Sequence, residues 1–205
     1  MKRTSVWLAV TALAIAPAAL ADDSGVYLGA AVGFADGPDN VQLGVPDVPL
    51  LGGKADVDDP SFGFSAGYRF NKNLSIELGY VDLDELQADV ADAAGDGRAT
   101  LGFSAEGVTL AMIGELPTGK WQPYLKAGVF YSRTVLEYSG VFSGTDFSAR
   151  LTSDNEDALY GIGVRYQLSE QLRLFVDATY FMEVGEPGNG QVDFLNHSAG
   201  VVWQF

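Results

Sequence analysis

The chain has 205 residues, no cysteine, 27 acidic against 12 basic residues and a formal charge of −15 at pH 7. That composition leaves no disulfide framework and no thiolate metal site, and so acidic a chain is excluded as a nucleic-acid binder. Glycine is plentiful at 25 residues, helix-period segments are absent, and apolar positions recur with period two, so the class is all-β.

The first element is an export leader. Lys2 and Arg3 supply its charge, Val6 to Leu20 its apolar stretch, and Ala19-Leu20-Ala21 a small-residue cleavage site. Residues 1–21 are therefore read as signal peptide and 22–205 as one domain, with 10 basic and 27 acidic residues and a formal charge of −17. No later segment approaches the roughly 18 to 20 continuous apolar residues of a membrane helix, so any crossing must be made by strands.

Strands are predicted near 25–35, 62–70, 74–84, 100–116, 121–137, 157–168, 172–183 and 193–205. Their connections alternate in length. Asn71-Lys72-Asn73, Pro117-Thr118-Gly119-Lys120 and Ser169-Glu170-Gln171 are tight, whereas 36–61, 85–99, 138–156 and 184–192 are long. Phe62, Phe64, Ala66, Tyr68 and Phe70 oppose Gly63, Ser65, Gly67 and Arg69, and Tyr160, Ile162, Val164 and Tyr166 oppose Gly161, Gly163 and Arg165. In the fourth strand Leu101, Phe103 and Ala105 are odd but Val108, Leu110 and Met112 even, which predicts a β-bulge at Glu106-Gly107.

Alternation alone leaves open which face is inside. A soluble lipocalin-like barrel would crowd its polar face with Lys, Glu and Thr, yet this face is rich in Gly, Ser and Ala, as a cramped lumen would be. Aromatics near strand ends agree. Phe70, Trp121, Tyr166, Trp203 and Phe205 cluster by the short turns, and Phe34, Phe62, Tyr80, Tyr160 and Tyr180 by the long connections, as two interfacial girdles. The expected fold is an eight-stranded antiparallel up-and-down transmembrane β-barrel with short periplasmic turns.

The leader, the eight amphipathic strands, the opening Gly25-Val26-Tyr27-Leu28-Gly29-Ala30-Ala31-Val32-Gly33-Phe34 and the terminal Trp203-Gln204-Phe205 together resemble the small outer-membrane β-barrel family that includes the OmpA-like transmembrane domain and the opacity-type porins. The resemblance covers the whole mature chain. It implies residence in the bacterial outer membrane, with Trp203 and Phe205 in the C-terminal signal read by the barrel-assembly machinery. It also implies lipid and lipopolysaccharide as surroundings. Unlike full-length OmpA, the sequence shows no peptidoglycan-binding domain after its last strand.

The charges placed on the inner face are Arg69, Glu77, Glu115, Lys126, Arg165, Arg173 and Asp177, all toward the short turns. Hairpin geometry predicts three pairs, directly opposite or diagonal across adjacent strands: Arg69 with Glu77, Glu115 with Lys126, and Arg165 with Asp177. An eight-stranded bore is just wide enough for its own side chains, so these pairs are read as a plug rather than as a gated ion path. The segments 36–61, 82–99, 137–157 and 183–193 carry 20 of the 27 acidic residues with only Lys54, Arg98 and Arg150 in compensation. Divalent cations bridging these loops to lipopolysaccharide are one reading, solvated loops the other; Asp56, Asp58 and Asp59 lack the EF-hand glycine and distal glutamate.

His197 and Ser198 raise the lipid A deacylase or acyltransferase chemistry of some eight-stranded barrels. Adjacent strand residues point to opposite faces, so Ser198 cannot hand its proton to His197. No catalytic, cofactor-binding or metal-binding set emerges, and a closed cylinder needs no partner subunit. The expected function is a non-enzymatic, monomeric structural or surface-interaction barrel. An OmpW-like narrow channel for small hydrophobic or ionic solutes is the alternative, and a lipid A modifying enzyme the remote one.

Overall fold

The computed structural model describes residues 24–36, 55–56, 60–91, 97–142, 145–185 and 191–205, with backbone alone for parts of the segments farthest from the short turns. The leader and Asp58-Asp59 lie outside the described residues. The strands are β1 (Gly25–Asp36), the two-residue β2 (Ala55–Asp56), β3 (Ser61–Asn71), β4 (Leu74–Ala91), β5 (Gly97–Glu115), β6 (Trp121–Phe142), β7 (Thr145–Gln167), β8 (Leu172–Val184) and β9 (Val192–Gln204).

Pairing is antiparallel throughout, in the order β2-β4-β3-β1-β9-β8-β7-β6-β5, and β5 returns to β4. Eight strands thus close a cylinder in up-and-down sequence, and β2 is an added ribbon on the projecting end of β4. Following Cα partners once around, from Tyr166 through Leu174, Val201, Ala30, Phe64, Tyr80, Val108 and Tyr131, returns to β7 at Glu156, ten residues from the start. This stagger gives the strong strand tilt of a narrow barrel.

The outer face is the apolar one. Leu28, Val32, Phe64, Leu78, Leu110, Leu125, Ile162, Val176 and Val201 are all exposed, a contiguous belt that only a hydrocarbon surrounding makes stable. Trp121 and Tyr166 meet at 4.7 Å beside the short turns. At the other interface Phe34, Phe62, Tyr80, Tyr131, Tyr160 and Tyr180 are exposed.

Two expectations need correcting. The segments 85–99 and 138–156 are largely strand rather than loop: β4 runs to Ala91, β5 starts at Gly97, β6 reaches Phe142 and β7 begins at Thr145. Four strands therefore rise well past the level at which β1, β3, β8 and β9 stop. Second, β5 carries no bulge at Glu106-Gly107, because its pairing to β6 is unbroken from Gly97 to Glu115; the register shift lies opposite, on β4 between Asp82 and Glu85. The backbone does not switch faces; the apolar residues do. Ala105 and Phe103 are inward residues like Ala111 and Ile113, but they belong to an apolar cluster inside the barrel.

That cluster fills the bore toward the long connections. Val81, Leu83, Phe130, Leu159, Phe181 and Phe194 are buried together, with Phe130 and Phe181 edge to face at 4.9 Å and Phe103 against Phe194 at 5.6 Å. Its logic is that of any packed interior: branched and aromatic side chains close a space too small for free water.

Candidate functional site

Toward the short turns the same bore is charged. Tight turns at 72–73, 119–120 and 168–171 bring the ends of β3, β5 and β7 to one level, which sets Arg69, Glu115 and Arg165 side by side. They are 4 %, 3 % and 2 % exposed. Burial this deep is tolerable only if each charge is matched. Glu115 does the matching: one carboxylate oxygen accepts from Arg69 Nη2 at 2.6 Å and the other from Arg165 Nη1. Arg165 Nη2 also lies 3.6 Å from Glu77 Oε2, and the Tyr27 hydroxyl donates to that same oxygen at 3.0 Å.

Arg165 is clasped on two sides. Its guanidinium carbon stands 5.5 Å from the Tyr27 ring centre and 4.9 Å from that of Tyr124, within cation–π range. Beyond it, Asp177 accepts from the Tyr124 hydroxyl at 2.9 Å, from Lys126 Nζ at 3.0 Å and from Ser198 Oγ at 2.6 Å. Arg173 donates to Gln204 where the last strand ends.

The seven charges expected in the lumen are all in it, but the partners of the six that hairpin geometry paired differ from that assignment. Glu77 stands opposite Gly67 rather than Arg69, Lys126 opposite Ile113 rather than Glu115, and Asp177 opposite Gly163 rather than Arg165. Each expected pair is therefore the diagonal one that hairpin geometry allows, but the long side chains reach over the intervening strand instead. Arg69 passes Ser75 to meet Glu115, and Lys126 passes the glycines of β7 to meet Asp177. The glycines permit this. A Cβ on Gly67 would strike the Tyr27 ring, and one on Gly163 would strike Tyr124 and stand 2.7 Å from the Asp177 Cβ.

Between the charged tier and the apolar cluster lies a cavity of about 80 Å³ bordered by Glu77, Thr109, Lys126, Asp177 and Thr179. Its lining mixes these polar groups with apolar ones, among them Ile113, Leu159 and Phe181.

The remaining candidates lie elsewhere. His197 is on the outer face, with Nε2 3.5 Å from Asp36 Oδ2, while its neighbour Ser198 points inward to Asp177. The two share no hydrogen bond and form no nucleophile–base pair. Among the described residues no group of three or more His, Asp or Glu side chains is disposed to hold a metal ion. Trp203 faces outward on β9, and the backbone N–H of Phe205 donates to the Val26 carbonyl at 3.0 Å, fastening the chain end to the first strand. Tyr27, Tyr124 and Ser198 were not anticipated, although parity places Tyr27 with Gly25, Gly29 and Gly33, and Tyr124 with Gln122 and Lys126. An aromatic sharing a face with glycines and a lysine was the available signal.

Residues 5–205 match the outer membrane protein beta-barrel domain family. The chain belongs to that family. Membership places it among bacterial outer-membrane barrels. In fold it is similar to Neisserial surface protein A, at 22% identity over 89% of this chain and 99% of that one, with a TM-score of 0.53. It is likewise similar to the outer membrane protein OprG from Pseudomonas aeruginosa, at 20% identity over 89% of this chain and 96% of that one, with a TM-score of 0.55. No curated protein matches it by sequence.

Proposed function

We propose that this barrel is a non-enzymatic, monomeric component of the outer membrane whose bore is closed and whose work is done at its outer surface and in the bilayer. The observation that carries this reading is the doubly filled lumen: a buried network around Glu115, Arg165 and Asp177 on one side of a cavity of about 80 Å³, and a packed Phe130–Phe181–Phe194 cluster on the other. In this reading the two tiers together interrupt any continuous polar path. In this reading the leader directs export and is removed near Ala21, insertion uses Trp203 and Phe205, and lipopolysaccharide surrounds the outer girdle. Planar-bilayer recording with purified protein tests the reading, with no steady conductance as the expected outcome. Sustained single-channel steps would instead favour a narrow solute channel, for which the central cavity would be the waist. Unchanged lipid A masses in cells with and without the protein would agree with the absence of catalysis.

A further inference from the structure

The ladder between β6 and β7 is complete from Trp121↔Tyr166 to Phe142↔Thr145, but the ladder between β7 and β8 begins only at Ala158↔Met182. Thirteen residues of β7, Thr145–Asp157, therefore have a strand partner on one side alone among the described residues. At about 3.3 Å per residue this is roughly 40 Å of open sheet edge. It lies past the outer girdle, where the bilayer no longer covers it. The opposite edge of the projecting sheet differs, since β4 carries β2 there through Ala88 and Gln87. Exposed long edges are templates for a further strand, and natural proteins blunt them with charged side chains, lysine above all, with proline or with a bulge. The β7 edge has no lysine, proline or bulge; its charges are mostly carboxylates, which deter a like-charged strand but not a cationic one, and its register to β6 is unbroken.

Side-chain chemistry selects the occupant. The edge holds Asp146, Asp154, Glu156 and Asp157 against a single Arg150. Arg150 is engaged by Glu137 at 2.8 Å and Asp154 by Arg133 at 3.1 Å, both exposed pairs, while Asp146 and Glu156 are exposed carboxylates on the same outward parity. On the inward parity, Phe103, Leu136 and Leu151 stand in one cross-strand row that ends at the edge, and Leu151 is still 46 % exposed. We propose that Thr145–Asp157 accepts an extended segment of a partner protein as an added β-strand, the segment alternating cationic with apolar residues so that cations meet the outward carboxylates and an apolar side chain extends the Phe103–Leu136–Leu151 row. A second copy of this chain fits less well: copies in one membrane would bring their β7 strands together parallel, with like net charge on both.

The proposal rests on the surface-interaction reading and is tested separately from it. The purified barrel in detergent is titrated with a peptide alternating Lys and Val, about ten residues long, and followed by fluorescence anisotropy and amide hydrogen exchange. Saturable binding is expected, with new protection confined to 145–157, and the double variant D154K/E156K, checked for heat-modifiability, is expected to bind about tenfold more weakly. Protection confined to other segments, or binding unaffected by D154K/E156K, would overturn the edge assignment while leaving the closed-bore reading standing. Equal uptake of a Glu–Val peptide would overturn the charge selection. Concentration-dependent protection of 145–157 without any peptide would assign the edge to a second copy instead. A conducting barrel would be revealed by the bilayer recording alone.

Discussion

The two halves of the bore are filled by opposite means. Near the short turns the filling is a set of mutually dependent charges, in which Glu115 holds both Arg69 and Arg165. Near the long connections it is a set of mutually indifferent apolar side chains around Phe130 and Phe181. In the first, removing one member strands the others as unpaired buried charges; in the second, removing one member leaves a hole but no unmet partner. The charged half thus specifies one arrangement, and the apolar half supplies bulk.

Variants can break this contrast in order of size. Glu115→Gln should be the most damaging, destabilising the folded barrel by about 3–5 kcal/mol because two arginines lose their shared carboxylate; denaturant titration followed by the heat-modifiable shift would show it. Phe130→Ala, in the other tier, should cost about 3 kcal/mol through its cavity while leaving the bilayer silent, since the charged tier still closes the bore. Conductance is expected only when Phe130→Ala and Glu115→Gln are combined, and a single variant that conducts would reduce the two seals to one. Gly163→Ala should cost about 1–3 kcal/mol by driving Tyr124 off Asp177, with loss of Tyr124 burial in its fluorescence. Glu77→Gln should cost only about 1–2 kcal/mol, because Arg165 keeps Glu115. Arg133→Ala, in an exposed pair outside the bore, should change stability by less than about 1 kcal/mol.

How far the fold could be read in advance depended on what each residue faces. Strand centres such as Phe62–Phe70 and Tyr160–Tyr166 were legible because one face meets lipid and the other a narrow lumen, which forces strict alternation. Past the girdle the outer face no longer meets lipid, so the alternation that lipid imposes fades, and the strand segments 85–91 and 138–142 read as loops. The supposed bulge in β5 arose because apolar residues moved from the lipid side at Leu110 to the core side at Ala105 without any change in the backbone. All seven lumen charges are visible from parity, but their partners are not, since hairpin logic compares only adjacent strands and the arginines reach across one more. Tyr27 and Tyr124 are absent from that reading because it follows charges alone on the inner face.

The ten-residue stagger of the ladder has a consequence for how such a chain can change length. An even offset lets inward positions meet inward positions after a full turn, so inserting one residue into a strand inside the bilayer would turn its remaining side chains inside out. The irregularity between Asp82 and Glu85 is where β4 already absorbs such a mismatch, at the outer rim. Insertions and deletions should therefore be tolerated from that level outward and resisted below it.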